Sequence, residues 1–208
     1  MTARLIWGTP DADKTIMYIA RVSNPQEQDK DDTKLLRYLR DNGHWSPFEM
    51  ASACVEVETT RDIARQILRH RSMSFQEFSQ RYQDVEALGD GYLRPARLQD
   101  TTNRQNSHVL PDSDPRHATW AAMQREVQEV AVRAYRNALD GGIAKEVARA
   151  VLPEGLTPSR MYISGTMRSW LHYLQQRLHP STQLEHRLLA GEILECLLTV
   201  APITLRGM

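Results

Sequence analysis

Apolar positions recur along this chain at two different periods, and each change of period marks an element. A short apolar run at residues 4–7, closed by Gly8 and Pro10, predicts a first strand. Residues 11–22 carry Ile16, Ile19 and Ala20 at helical spacing, and Ser23-Asn24-Pro25 ends that helix. A second helix is predicted over 32–41, with Leu35, Leu36 and Leu39 on one face and Asn42-Gly43 as its exit. At 51–59 the period becomes two. Ala53, Val55 and Val57 alternate with Cys54, Glu56 and Glu58, the pattern of a half-buried strand. After Thr60, a residue type suited to an N-cap, Ile63, Ile67 and Leu68 form an apolar stripe while Arg61, Arg65 and Arg69 recur every fourth residue. That is an amphipathic helix.

Residues 83–115 are rich in Gly, Pro, Asn and Asp and predict a surface loop with one short strand at 92–94. A long helix follows over 118–139, with Trp120, Met123, Val127, Val130 and Ala134 spaced three and four apart, and Gly141-Gly142 breaks it. A helix over 144–152 stops at Pro153, a strand is predicted at 160–165 and a helix at 167–178. Beyond His179-Pro180 a final helix over 183–200 is expected to turn Leu184, Leu188, Ile193, Leu197 and Val200 inward. Strands interleaved with long helices predict an α+β fold, a single domain over 1–208 with a mixed, mainly antiparallel sheet flanked by helices.

Composition narrows the function. With 26 basic and 26 acidic residues, no overall field favours nucleic acid or membrane, so any anion recognition has to be local. Cys54 and Cys196 sit far apart at apolar-pattern positions, as buried free thiols of a reducing cytosol do. The N-terminus lacks the apolar run of a signal peptide and no segment is long enough to span a bilayer, which predicts a cytoplasmic protein. The seven histidines are scattered without an HExxH or comparable cluster, so no metal is expected. Neither Gly89-Asp90-Gly91 nor Gly141-Gly142 completes a dinucleotide-binding fingerprint.

The local excess of charge lies at 61–81, where five arginines and His70 face only Asp62 and Glu77. Guanidinium forks bind phosphate in two places at once, and Ser74 and Ser79 add neutral donors. An extended stretch SMSFQEFSQRY would aim Ser79 and Arg81 to one side while Phe75 and Phe78 anchor the other. The bland rival is a solvated basic helix end. A non-enzymatic alternative is a nucleic-acid-binding protein using the 61–81 face; zero net charge and 7% aromatic residues weigh against it.

Arg69-His70-Arg71, seven residues and then Ser79, with Glu77, Arg81 and Tyr82, resembles the signature of the flavin-dependent thymidylate synthases. Further segments resemble that family in the right order: Ala20-Arg21-Val22-Ser23, GHWSPFE at 43–49, EVARAVLP at 146–153 and GTMRSWLHYLQQR at 165–177. The resemblance covers residues 1–202 and implies synthesis of dTMP from dUMP. The one-carbon unit would come from methylenetetrahydrofolate and the reducing equivalents from NADPH through bound FAD. It also implies a homotetramer with flavin sites shared between subunits, without nucleic acid or membrane as partner.

By position, the family's flavin contacts fall on Ser23, His44, Ser46, Arg69, His70, Arg71, Glu77, Arg168 and His172. Its dUMP contacts fall on Gln66, Glu77, Ser79, Arg81, Arg149 and Arg177. Arg177 would face a uracil carbonyl oxygen and stabilise charge developing there. Ser79 is a tempting nucleophile, but no His–Asp relay is apparent, so phosphate or base binding is its preferred role. Thr166 stands where many relatives have Asn, which puts that one flavin contact in question. A folate-reducing thymidylate synthase needs an activated cysteine, and neither Cys54 nor Cys196 has the surroundings of one.

Overall fold

Six strands form: β1 (Thr2–Gly8), β2 (Ser52–Thr60), β3 (Ser74–Glu77), β4 (Arg97–Gln99), β5 (Ser107–Val109) and β6 (Pro158–Thr166). They belong to a computed structural model that describes residues 1–89 and 91–208, without the Glu86 side chain; Asp90 of the Gly-Asp-Gly run lies outside the described residues. Four strands make one sheet in the order β1-β2-β6-β3, and β4 pairs with β5 in an antiparallel hairpin. Neighbours in the sheet run in opposite directions. Thr9 N–H donates to Ser52 C=O while Arg4 reaches Glu56, and Met167 N–H donates to Ala51 C=O while Arg160 reaches Glu58. Likewise Phe78 N–H donates to Arg160 C=O, and a Cβ on Gly165 would lie 3.1 Å from Met73 Cγ.

Seven helices accompany the strands: α1 (Ala12–Ala20), α2 (Thr33–Asp41), α3 (Arg61–Ile67), α4 (Arg116–Asp140), α5 (Lys145–Ala148), α6 (Met167–Arg177) and α7 (Leu184–Leu198). The α+β expectation therefore holds. The chain divides into two compact units, each assembled from separate segments. The α4 unit comprises residue 1, 58–67 and 77–161; the α6 unit comprises 2–57, 68–76 and 162–208.

The α6 unit is organised around its namesake helix. Trp170, Leu171, Tyr173 and Leu174 are fully buried, as are Ile16, Leu36, Phe48, Leu189, Ile193 and Leu197. The alternation in β2 works as read, with Ala53, Val55 and Val57 wholly inside. Trp170 Nε1–H donates to Ala53 C=O at 3.2 Å, so the largest core side chain also satisfies its one polar atom. Asp13 at the start of α1 accepts N–H groups from Ile203 and Thr204 and the Thr204 hydroxyl, which ties the last turns of the chain to that helix. Asp32 caps α2 by accepting Lys34 N–H.

One inward residue of the last helix was misread. Leu188 is 56% exposed, while Glu185 and His186 are buried. The face is turned because His186 Nε2 lies 3.1 Å from the buried Tyr173 hydroxyl, a polar contact that hydrophobic periodicity does not register. Cys54 is buried as expected; Cys196 is only partly so, and both thiols are free.

In the α4 unit, Tyr135 packs with Val85 and Ala148 among Ala138, Leu139 and Leu152. The buried positions of α4 are Gln124, Ala131 and Tyr135, so the stripe from Trp120 to Ala134 is not the face that the helix buries within its own unit. Gln124 decides this, because its amide accepts Arg94 N–H and donates to Arg94 C=O, both at 2.9 Å. Those bonds also consume the backbone of Arg94, and the strand expected at 92–94 forms at Arg97–Gln99 instead. The helix expected over 144–152 is four residues of α-helix followed by a 3-10 turn at Arg149–Val151, as the proline at 153 disfavours helix in the residue before it. Among the described residues no helix is long and apolar enough to cross a membrane.

Trp170→Ala should cost about 3–5 kcal/mol in urea unfolding, since it empties a fully enclosed site and leaves Ala53 C=O without this donor. A loss below about 1 kcal/mol would mean that the core does not rest on this residue.

Candidate functional site

The basic triplet lies between α3 and β3, in the α6 unit, where Arg69 and Arg71 are exposed and His70 is half-buried. Arg177, in the last turn of α6, donates Nε–H to His70 Nε2 at 2.8 Å. An arginine has no acceptor, so this ring nitrogen carries no proton and the imidazole is the neutral Nδ1–H tautomer. Its ring meets Tyr173 edge-on with centroids 4.9 Å apart, and the Tyr173 hydroxyl contacts His186 in turn. Burial pushes His70 down to about 4, helped by the Arg177 and Arg69 cations. Burial likewise holds His186 near 3, helped by Arg177 and His70. The same desolvation raises the Tyr173 phenol and lowers Arg177. A cation is thus held by a stack of uncharged rings.

The 43–49 loop supplies the next layer of this unit. His44 stacks on Tyr38 with centroids 5.9 Å apart, and Trp45 lies 5.1 Å from the His172 ring of α6. Glu49 accepts from Arg168 Nη1 at 2.7 Å and from the Thr166 hydroxyl at 2.9 Å; these two bonds hold its carboxyl below the usual range. Thr166 also accepts Ser169 N–H as the N-cap of α6. Its hydroxyl is committed inside the protein, which gives the Asn-to-Thr departure a structural role. Ser46 is exposed at the start of a 3-10 turn, and Ser23 is exposed in the turn after α1.

The α4 unit holds Gln66, Glu77, Ser79, Arg81 and Arg149. Glu77 Oε1 accepts the Ser159 hydroxyl at 2.8 Å and lies 3.6 Å from Arg61 Nη1. Arg61 is buried, and that burial lowers its pKa while Glu77 opposes the shift. Arg81 pairs with Glu146 at 3.4 Å and Arg65 with Glu154 at 3.3 Å. Arg149 Nε–H reaches Glu146 C=O at 3.4 Å. Three of the five arginines at 61–81 therefore have carboxylate partners, which blunts the continuous basic face that a nucleic acid would need.

The extended run expected through Tyr82 ends at Glu77. Tyr82 and Gln83 both donate N–H to Ser79 C=O, so Ser79 and Arg81 sit in a turn rather than on one side of a strand. Ser79 is exposed there, and no base contacts its hydroxyl among the described residues. That geometry suits binding rather than nucleophilic attack.

The expected flavin set falls in the α6 unit apart from Glu77, and the expected dUMP set in the α4 unit apart from Arg177. Sequence reasoning missed Arg61 and Ser159 as the partners of Glu77. Arg61 carried one signal, its place directly after an alternating strand, whereas Ser159 carried none. Burial raises the thiol pKa of both Cys54 and Cys196, the opposite of nucleophile activation. Among the described residues no three His, Cys, Asp or Glu side chains group as metal ligands.

Comparison with known proteins gives consistent matches. The family model described as thymidylate synthase complementing protein matches residues 4–203. Over 205 residues the chain is 42% identical to a probable flavin-dependent thymidylate synthase of Paramecium bursaria Chlorella virus 1, covering 97% of this chain and 93% of that one. Over 176 residues it is 47% identical to the flavin-dependent thymidylate synthase of Synechocystis sp., covering 84% and 79%. A crystal structure of the UMP/dUMP methylase PolB from Streptomyces cacaoi, bound with 5-Br dUMP, superposes with a TM-score of 0.86 at 28% identity, covering 98% and 92%.

Glu77→Ala should destabilise the protein by about 2 kcal/mol, because it strands a buried guanidinium and a buried hydroxyl, and Glu77→Gln should cost less. Unfolding curves identical to the parent for both variants would show that Glu77 has no structural share.

Proposed function

The chain belongs to the flavin-dependent thymidylate synthase family, and from that premise we propose that it methylates dUMP reductively to dTMP. Methylenetetrahydrofolate donates the carbon and NADPH the electrons, by way of bound FAD. The observation that carries this reading is the Arg177–His70 contact, which spends the guanidinium Nε on a neutral acceptor. Both terminal nitrogens of Arg177 make no hydrogen bond among the described residues. They are left to donate to a uracil carbonyl oxygen.

The donor set of the α6 unit fits FAD. Arg69 and Arg71 are exposed and make no ion pair among the described residues, as a pyrophosphate requires. His44, Ser46, His172, Ser23 and Arg168, with His70 and Glu77, complete the set that would hold it. When bound, the flavin supplies the hydride that turns the transferred carbon into a methyl group. In the α4 unit, Arg81, Ser79 and Arg149 hold the 5′-phosphate, with Gln66 and Glu77 as further dUMP contacts. Arg177 stabilises negative charge developing on the uracil oxygen, and its lowered proton affinity does not uncharge it at neutral pH.

The enzyme is a methyltransferase acting as one domain over both units, in a homotetramer that shares its sites between subunits. Two free thiols suit the reducing cytoplasm.

Purified protein should be yellow, or become so on reconstitution with FAD, and should release tritium from dUMP labelled at uracil C5 when methylenetetrahydrofolate and NADPH are present. UMP is the comparison substrate. A colourless protein that cannot be reconstituted would overturn the reading. Arg177→Ala should lower kcat/KM for dUMP by about 100- to 1000-fold while the flavin spectrum is retained, as loss of one donor at a developing oxyanion does. Unchanged dUMP kinetics would refute its assignment.

A further inference from the structure

Helix α4 carries an apolar stripe that its own unit does not cover. Trp120, Met123, Val127 and Val130 are 43%, 53%, 52% and 50% exposed, and Ala134 continues the line. The spacing of three and four repeats over two heptads, about a quarter-turn round the helix from buried Gln124, Ala131 and Tyr135. The apolar surface extends sideways into a groove of about 610 Å³, where Leu98 of β4 faces Trp120 and Met123. Scattered exposed apolar residues are ordinary, but a contiguous stripe at seam spacing marks an interface.

We propose that this stripe is a self-association seam, in which α4 of one protomer packs antiparallel against α4 of a second copy about a two-fold axis. The flanking charges choose the partner and the direction. With the stripe at the seam positions, Glu126 and Arg133 are the residues that border it on the side away from the buried face. Both are exposed, and neither has a partner in its own chain among the described residues. Antiparallel packing sets Val127 against Val130 of the second copy and Met123 against its Ala134. The same register places Glu126 beside Arg133 of the second copy, twice by symmetry. Parallel packing would set these charges against Ala131 and Ala138, which lie at the opposite border, and would align the helix dipoles unfavourably. The inference rests on α4 alone and not on the proposed reaction.

The test is the mass of the full-length protein by sedimentation equilibrium over a concentration series, with circular dichroism and the flavin spectrum recorded on the same samples. Glu126→Arg and Arg133→Glu, made singly, should each weaken the association about tenfold, since each turns both attractive pairs repulsive. The double variant E126R/R133E should recover to within about threefold of the parent. Val127→Asp should weaken association more than about a hundredfold. Recovery in the double variant answers the objection that a single variant merely misfolds. A parent that is monomeric at high concentration would overturn the seam, as would single variants with parental mass. Single variants that weaken without rescue would overturn the antiparallel register. The flavin spectrum separates these outcomes from failure of the proposed reaction.

Discussion

Two imidazoles kept uncharged by burial hold the chemistry of the α6 unit in place. His70 accepts a hydrogen bond from Arg177, and His186 sits against Tyr173, which backs His70. Protonating His70 would remove the acceptor and set one cation against another. The strength of the arrangement therefore comes from desolvation rather than from an ion pair. Leu171, Leu174 and Trp170 exclude water around the stack, and Trp170 is itself held by its bond to Ala53. Thus the same core that stabilises the unit fixes the tautomer that aims a catalytic guanidinium.

The α4 unit handles charge in the opposite way. Arg61, Arg65 and Arg81 are met by Glu77, Glu154 and Glu146, so cations stay charged because carboxylates stand near them. Where the pairs are exposed they add little to stability, but they hold long side chains in defined positions. The buried Arg61–Glu77–Ser159 group is different, because breaking it strands polar atoms away from water. Glu77 therefore combines a structural share with any contact it makes to a ligand.

Much of this was legible in the sequence because period and punctuation act locally. The alternation of Ala53, Val55 and Val57 gave a strand, and the run from Met167 to Arg177 a helix. Recognition of Arg69-His70-Arg71 with Ser79 reached the family that the comparisons show. What escaped depends on single long-range polar contacts. Gln124 turns α4 and displaces a strand by binding the backbone of Arg94, and Tyr173 draws His186 inward at the expense of Leu188. No window of residues contains both partners of such a contact. Nor does the motif tell that Ser79 lies in a turn, which depends on the Tyr82 and Gln83 amides closing onto its carbonyl.

The neutral His70 is the claim on which the rest turns. Its ordinary value of 6.5 is lowered to about 4, so between those pH values the unfolded chain binds a proton that the native ring refuses. The ring's contribution to stability is complete above 6.5 and is lost as pH falls toward 4. The direct measurement is a nitrogen NMR titration of protein labelled in its histidine rings, with His70 assigned from the His70→Gln variant. The account predicts an Nδ1–H tautomer at neutral pH that protonates only near pH 4. A His70 ring that titrates near 6.5, or carries its proton on Nε2, would contradict it.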